Sequence, residues 1–407
     1  MSTQALTNDG KGLNVGLVTE TYPPEVNGVA MTLGKLVKGL LSMGNHVELY
    51  RPRQDVESDE HTSPAFSQHL VRGLHIPMYK DMQLGMPAGK YFKKIWSEKK
   101  PDVLYVATEG PLGWSAIKIA KQLNIPVLSG FHTNFQAYSK HYKLGWISPI
   151  VFKYLRHLHN KTYCTITPTE DMVDLLRSNG FKRAEVMQRG VDLEQFNPGH
   201  RSAALRQTWG VEPDERVCLY VGRIAAEKNI REAVNAVRAL KQKKDIKFVL
   251  VGDGPLKEKL AKENPDFIFA GTKRGVELSR HYASCDLFLF PSHTETYGNV
   301  VTEAMASGLA VVAFNKAAAK QHINDWQNGV LVNDDDSFSH KTEQLVNKPE
   351  LINKIGAEAA NYSRGLDWKQ INIRFEQLLR EAVDSNAENS TAASSKATYS
   401  NVTGLTR

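Results

Sequence analysis

The sequence predicts an α/β protein made of two doubly wound parallel-sheet domains in tandem, with a cleft between them. Three observations carry that prediction. Short β-rich runs alternate with longer helical patterns, the signal for parallel strands joined by crossover helices. The alternation pauses at a polar stretch, RGVDLEQFNPG (189–199), and restarts after it. The chain's 407 residues also exceed what one hydrophobic core usually serves.

Taken in order, residues 1–12 are expected to be flexible, and a first domain runs over 13–195. NVGLVT, HVELYR, DVLYVA and IPVLSGF read as its strands. After the first of them Val29, Leu33, Leu36, Val37, Leu40 and Leu41 recur at helical spacing, and Gly44 can end that helix. The polar stretch then acts as a linker into a second domain, 196–365. Its strands are RVCLYVG, KFVLVG, FIFAG, DLFLFP and LAVVAF. Ile371, Phe375, Leu378, Leu379, Ala382 and Val383 mark one more amphipathic helix, over 366–384, whose apolar stripe must be buried. The segment 385–407 is polar and rich in small residues, and is expected to be disordered.

The composition, 41% hydrophobic and 23% charged, is that of a globular protein. No apolar run reaches the ~20 residues a membrane-spanning helix needs. The N-terminus lacks the apolar core of a secretory signal, which favours a cytoplasmic location. Cys164, Cys218 and Cys285 are unclustered and read as core residues, not as a disulfide framework or a zinc site. The formal net charge of +7 suits an anionic partner, whether nucleotide, anionic membrane surface or nucleic acid.

Ligands of open α/β sheets sit outside the carboxyl ends of the strands, and four segments fall there. TETYPPEVNGVA (19–30) puts Gly28 at a helix start, where backbone amides can approach a phosphate. It carries no G-x-G-x-x-G fingerprint, so a dehydrogenase is disfavoured. YVGRIAAEKN (220–229) places Arg223 and Lys228 at one strand end. Cations near a helix N-terminus oppose its dipole by about 0.3–1 kcal/mol, so a diphosphate explains them better than a solvated helix start. VGDGPLKEKL (251–260) holds Gly252 and Asp253 in a tight loop that either borders a phosphate or is simply a turn. In HTETYGNVVTEAMASG (293–308), Glu295 lies in a loop and Glu303 on the helix that follows, from about Asn299 to Gly308. A carboxylate accepts two hydrogen bonds, so each suits a pair of sugar hydroxyls, one hexose and one ribose. The four loops together fit one nucleotide sugar.

The run ETYGNVVTEAMASG resembles the signature of the retaining glycosyltransferases of family 4, and further motifs agree in order from about Asn14 to Val383. The resemblance implies the GT-B fold: two Rossmann-like domains facing across a cleft, the final helix crossing back onto the N-terminal domain, which binds the acceptor. It implies that Arg223 and Lys228 bind the donor diphosphate, that Glu303 holds the ribose and Glu295 the hexose, and that Gly28 lies against the phosphates. Gly252, Asp253, Tyr297, Gly298 and Asn299 would complete the donor site. His132, in SGFHTNF, would stand beside the anomeric centre, with Asn134 and Tyr138 on the acceptor side. His132, Glu295, Arg223 and Lys228 would be catalytic. Leu309 stands where many relatives have proline, a loop difference. FHTNFQAYSKHY and QRGVDLEQFNP resemble a narrower bacterial group, GDP-mannose-dependent α-mannosyltransferases and sulfoquinovosyl- or glucosyl-diacylglycerol synthases. That implies GDP-mannose or a UDP-hexose as donor, a lipid or glycan acceptor, no nucleic-acid partner, no cofactor and no metal.

Two rivals remain, a GT-B sugar-nucleotide 2-epimerase and a non-catalytic sugar-nucleotide binder. Asp334, Asp335 and Asp336 follow GVLV in a polar loop and read as solvated rather than metal-binding. KYFKKIWSEKK (90–100), which sets Tyr91, Phe92, Ile95 and Trp96 against five lysines, reads as a helix packing those aromatics on the sheet in preference to lying on a membrane. For KLGWISPIVFKYL (143–155), with Trp146, membrane contact and domain packing weigh equally. On the membrane reading the protein would sit at the inner face of the cytoplasmic membrane.

Overall fold

The computed structural model describes residues 12–402 apart from 26, 54–62, 77–78, 133–147, 213–214, 243–244, 294 and 296, with backbone alone at 75–76, 79–82, 148–150 and 392–402. The chain divides into two compact units. The first takes in 1–133, 147–188 and 369–407, and the second centres on Arg189–Trp368.

The first unit holds strands β1 (Asn14–Val18), β2 (His46–Pro52), β3 (Phe66–Val71), β4 (Gly73–Ile76), β5 (Tyr79–Gly85), β6 (Val103–Val106), β7 (Val127–Gly130), β8 (Cys164–Thr167) and β9 (Ala184–Val186). Seven of them form a parallel sheet in the order β3-β2-β1-β6-β7-β8-β9, and β4 and β5 pair as an antiparallel hairpin. Strands β1, β6 and β7 are buried on both faces, which is why they read as continuous apolar runs. The helix Gly28–Ser42 buries Leu33, Leu36, Val37 and Leu40 and stops where Gly44 takes φ +83°, a region open to glycine. In the helix Gly89–Glu98, Phe92 and Trp96 stack at 4.4 Å and are buried, so this segment packs on the sheet through those two rings, while Tyr91 stays exposed.

The second unit holds β10 (Arg216–Val221), β11 (Ile246–Val251), β12 (Ile268–Gly271), β13 (Leu287–Phe290), β14 (Ala310–Phe314) and β15 (Val330–Val332). All six are parallel, in the order β12-β11-β10-β13-β14-β15. Asp286, just before β13, is buried and clamped by Arg201 at 2.9 Å and Arg206 at 3.2 Å, while the Val217 amide donates to it at 2.9 Å. A buried carboxylate persists when its charge is matched and its lone pairs are filled in this way.

Two expectations need correcting. The stretch 189–199 is no free linker: Arg189, Val191 and Phe196 are buried, and the Val191 amide donates to the Leu366 carbonyl at 2.9 Å. Its apolar residues find partners inside the second unit. Residues 386–402 are also not irregular, because the last helix runs Trp368–Val402. Its alanines are strong helix formers and extend a helix already nucleated by packed residues. Within the first unit that helix buries Phe375, Leu378, Leu379 and Ala382, and Phe375 meets Tyr105 edge-on at 5.0 Å. Cys164, Cys218 and Cys285 are buried and free, as expected of core residues.

Candidate functional site

The second sheet reverses its strand order between β10 and β13, and at such a reversal the loops leaving the two strands diverge and open a crevice. Arg223 and Lys228 leave β10, and Glu295 leaves β13. The structure brings two of the three into contact: Lys228 Nζ pairs with a Glu295 carboxylate oxygen, with about a fifth of each side chain exposed. Beside them Arg223 Nη1 donates to Glu227 at 2.9 Å, and its own carbonyl accepts from the Tyr220 hydroxyl at 2.8 Å. Burial, and then the charges of Glu295 and Glu227, push the Tyr220 phenol up, which places both carboxylates within electrostatic reach of it. Cations and acids far apart in the sequence therefore meet at one end of one sheet.

Glu303 sits deeper, in the second turn of the helix Asn299–Ala306, and accepts from the Tyr282 hydroxyl at 2.9 Å. Burial raises its carboxyl to about 7, against the pull of the Tyr282 bond. Gly298 starts that helix with φ +91°, which a side chain would strain. Asn299 accepts from Arg189 Nη1 at 3.2 Å.

Several expected donor-site residues do other work. The Tyr297 ring is buried, and its hydroxyl is engaged by the Arg189 carbonyl at 3.0 Å and by His322 at 2.8 Å, so only its backbone is available to a ligand. Gly252 is a glycine for packing: a Cβ there would lie 2.0 Å from the Gly222 carbonyl oxygen. Asp253 is exposed, and its carboxylate takes the Gly254 amide at 2.7 Å and Lys257 at 2.8 Å. The turn reading of that loop explains both residues. In the first unit, Gly28 opens its helix, but Asn27 already caps the amides of Val29 and Ala30 at 3.1 and 2.9 Å. A phosphate there would have to displace a side chain the chain itself supplies.

His132 follows β7, is buried, and shares a hydrogen bond of 2.8 Å between Nε2 and the Tyr105 hydroxyl. Asn134, Tyr138 and Trp146 lie outside the described residues. Asp334 pairs with Lys316 at 2.8 Å and Asp336 holds the Asn333 amide at 3.0 Å, both at a solvated loop. Among the described residues no group of three or more His, Cys, Asp or Glu is arranged to hold a metal ion. Sequence reasoning missed Arg189, Tyr282 and Tyr220. All three are buried or backbone-directed residues inside apolar runs or a polar stretch, where periodicity reports packing and says nothing of hydrogen-bond direction.

Comparison with known proteins agrees with this fold. Residues 202–362 match Glycosyl transferases group 1, and residues 26–195 match Glycosyltransferase Family 4. The chain is 31% identical over 321 residues to a GDP-mannose-dependent alpha-mannosyltransferase of Corynebacterium glutamicum, covering 79% of this chain and 76% of the relative. It is 26% identical over 395 residues to an alpha-monoglucosyldiacylglycerol synthase of Acholeplasma laidlawii, covering 92% and 98%. Its fold matches that of a sucrose-phosphate synthase from Thermosynechococcus elongatus, with TM-score 0.73, 19% identity and coverage of 91% of this chain and 99% of that one.

Proposed function

Because the chain belongs to the retaining glycosyltransferases of family 4, a hexosyltransferase family of GT-B fold, we propose that it moves mannose or a glucose-type hexose from a nucleoside diphosphate to a hydroxyl of a membrane lipid. The observation that carries this reading is the Lys228–Glu295 pair at the reversal point of the second sheet. In the free protein the two neutralise each other. With donor present, Lys228 turns its charge to the diphosphate and Glu295 accepts from hydroxyls of the hexose. Arg223, half exposed at the same strand end, adds a forked donor for the phosphate oxygens. As the glycosidic bond breaks, negative charge grows on the departing diphosphate, and fixed cations and amides aimed at it lower the barrier. That countercharge comes from side chains and backbone, so the reading requires no metal or cofactor. Glu303 holds the ribose diol from its place beside Tyr282.

Among the described residues no helix is long and apolar enough to cross a membrane. We place contact with an anionic lipid surface on Lys90, Lys93, Lys94 and Lys100, which are exposed while the neighbouring aromatics Phe92 and Trp96 are buried. Such contact is electrostatic, about 1 kcal/mol per lysine, and fades with salt.

The test is a product assay. Purified protein with GDP-mannose or UDP-glucose and diacylglycerol vesicles should release nucleoside diphosphate and yield a glycolipid. Conversion of the nucleotide sugar with no acceptor present would make it an epimerase, and binding without turnover a sensor.

A further inference from the structure

The first sheet has a reversal point of its own, between β1 and β6. The loops leaving those strands are stitched together: the Ala107 amide donates to the Val18 carbonyl at 2.8 Å, and the Glu20 amide donates to Thr108 Oγ1 at 2.9 Å. The stitching sets Glu20 beside Glu109. Glu20 also reaches the start of the helix Pro111–Gln122, because residue 110 is glycine; a Cβ there would lie 1.8 Å from Glu20 Oε1. His159, on the helix Ser148–His159, completes the cluster from the far side. Its Nδ1 bonds to Ser129 Oγ at 2.8 Å, which aims Nε2 at Glu109 Oε1, 3.8 Å away and beyond hydrogen-bond reach.

Three polar atoms in this cluster are buried and have no hydrogen-bond partner among the described residues: Glu20 Oε1, Glu109 Oε1 and His159 Nε2. The His159 side chain is 1% exposed and that of Glu109 9%. Leaving such a group unsatisfied costs about 1–3 kcal/mol, and three at one strand-order reversal suit ligand binding better than packing. The chemistry of such a ligand follows from these atoms. Two carboxylate oxygens need hydrogen-bond donors, and paired acids repel a phosphate. Burial first, and then the Glu109 charge, raise the Glu20 carboxyl to about 7, while the amides of Gly85 and Leu112 pull it down. Near neutrality Glu20 thus offers either a proton or a lone pair, which matches a hydroxyl, itself both donor and acceptor.

We propose that Glu20, Glu109 and His159 form a binding site for an uncharged, hydroxyl-bearing group and exclude phosphorylated ones. Resting on the transferase reading above, this names the acceptor class: a neutral glycerol- or sugar-headed lipid. Tyr154, on the His159 helix, lies within electrostatic reach of both acids.

The test uses the full chain and two probes, 1-octylglycerol and its phosphate ester, with affinities from calorimetry. The wild type should bind the neutral probe at least tenfold more tightly than the phosphorylated one. The double variant Glu20→Gln/Glu109→Gln should narrow that preference to less than threefold, by admitting the phosphate as the charges go, while Glu109→Ala weakens the neutral probe. A wild type that prefers the phosphorylated probe, or that fails to bind the neutral one, would overturn the proposal. So would a double variant whose preference is unchanged. Thermal stabilisation by nucleotide sugar, followed in the same proteins, reports separately: its absence from the wild type counts against the transferase reading, and the probe preference still decides this site.

Discussion

Glu295 and Glu303 are the same residue type eight positions apart, and their surroundings assign them different chemistry. Glu295 is matched by a lysine, whereas Glu303 is desolvated and accepts from a tyrosine hydroxyl. Replacing either Arg223 or Glu295 by alanine should cut transfer by about a hundredfold or more, the usual cost of losing a preorganised charge contact, with the circular dichroism spectrum unchanged. Glu303 carries a pH signature as well. Its folded carboxyl stands at about 7 against an ordinary 4.5, so the folded state favours the protonated form. The associated stability is complete below about 4.5 and is lost as pH rises through 7. Glu303→Gln should therefore match the wild type at pH 4 and exceed it at pH 8, by on the order of 2 kcal/mol in denaturant unfolding. The same substitution should weaken donor binding, since the amide replaces one acceptor with a donor. A Glu303→Gln protein no more stable at pH 8 would mean the carboxyl is well solvated.

Among the elements, the loops carry the site and the glycines shape it. Gly222, Gly252 and Gly254 all take φ between +140 and +155°, and they let the ends of β10 and β11 stack backbone on backbone. On sequence alone such glycines look like phosphate contacts; only the register of two strands shows that they serve packing. The reverse holds at Ala317, where φ is +51° with no glycine present, in a short helix whose Ala318 amide donates to the Tyr297 carbonyl at 2.9 Å. A non-glycine residue there costs about 1 kcal/mol or more, so Ala317→Gly should raise stability by roughly that amount, read from the denaturant midpoint. No gain would place the strain elsewhere. Central strands and amphipathic helices were legible because burial on both faces, or on one stripe, writes itself into apolar spacing. β3, β8 and β9 were not: FSQHLV, CTIT and AEV are short or half polar, and β3 and β9 lie at sheet edges. The β4–β5 hairpin was hidden for the same reason, as its residues alternate weakly.

Across the molecule, the two sheets repeat one device. Each reverses its strand order once, each sets a pair of ionisable residues at that reversal, and the pairs differ in sign: lysine with glutamate in the second unit, two glutamates in the first. The cation side suits a diphosphate and the acid side a hydroxyl. The loop at 220–229 was readable because its cations are misplaced for helix stability, and that at 293–303 because its two acids sit in a run that resembles a family signature. Glu20 and Glu109 were not, since each is a lone acid after an apolar strand and only the fold places them together. The measurement that bears most directly on the central claim is donor-induced thermal stabilisation of the wild type and of Lys228→Ala. At a donor concentration about 100 times its dissociation constant, one of GDP-mannose, UDP-glucose or UDP-glucuronate should stabilise the wild type by about 2.7 kcal/mol. Lys228→Ala, folded but lacking the cation, should lose most of that gain. Equal stabilisation of both proteins, or none by any of the three nucleotide sugars, would contradict the assignment of this crevice.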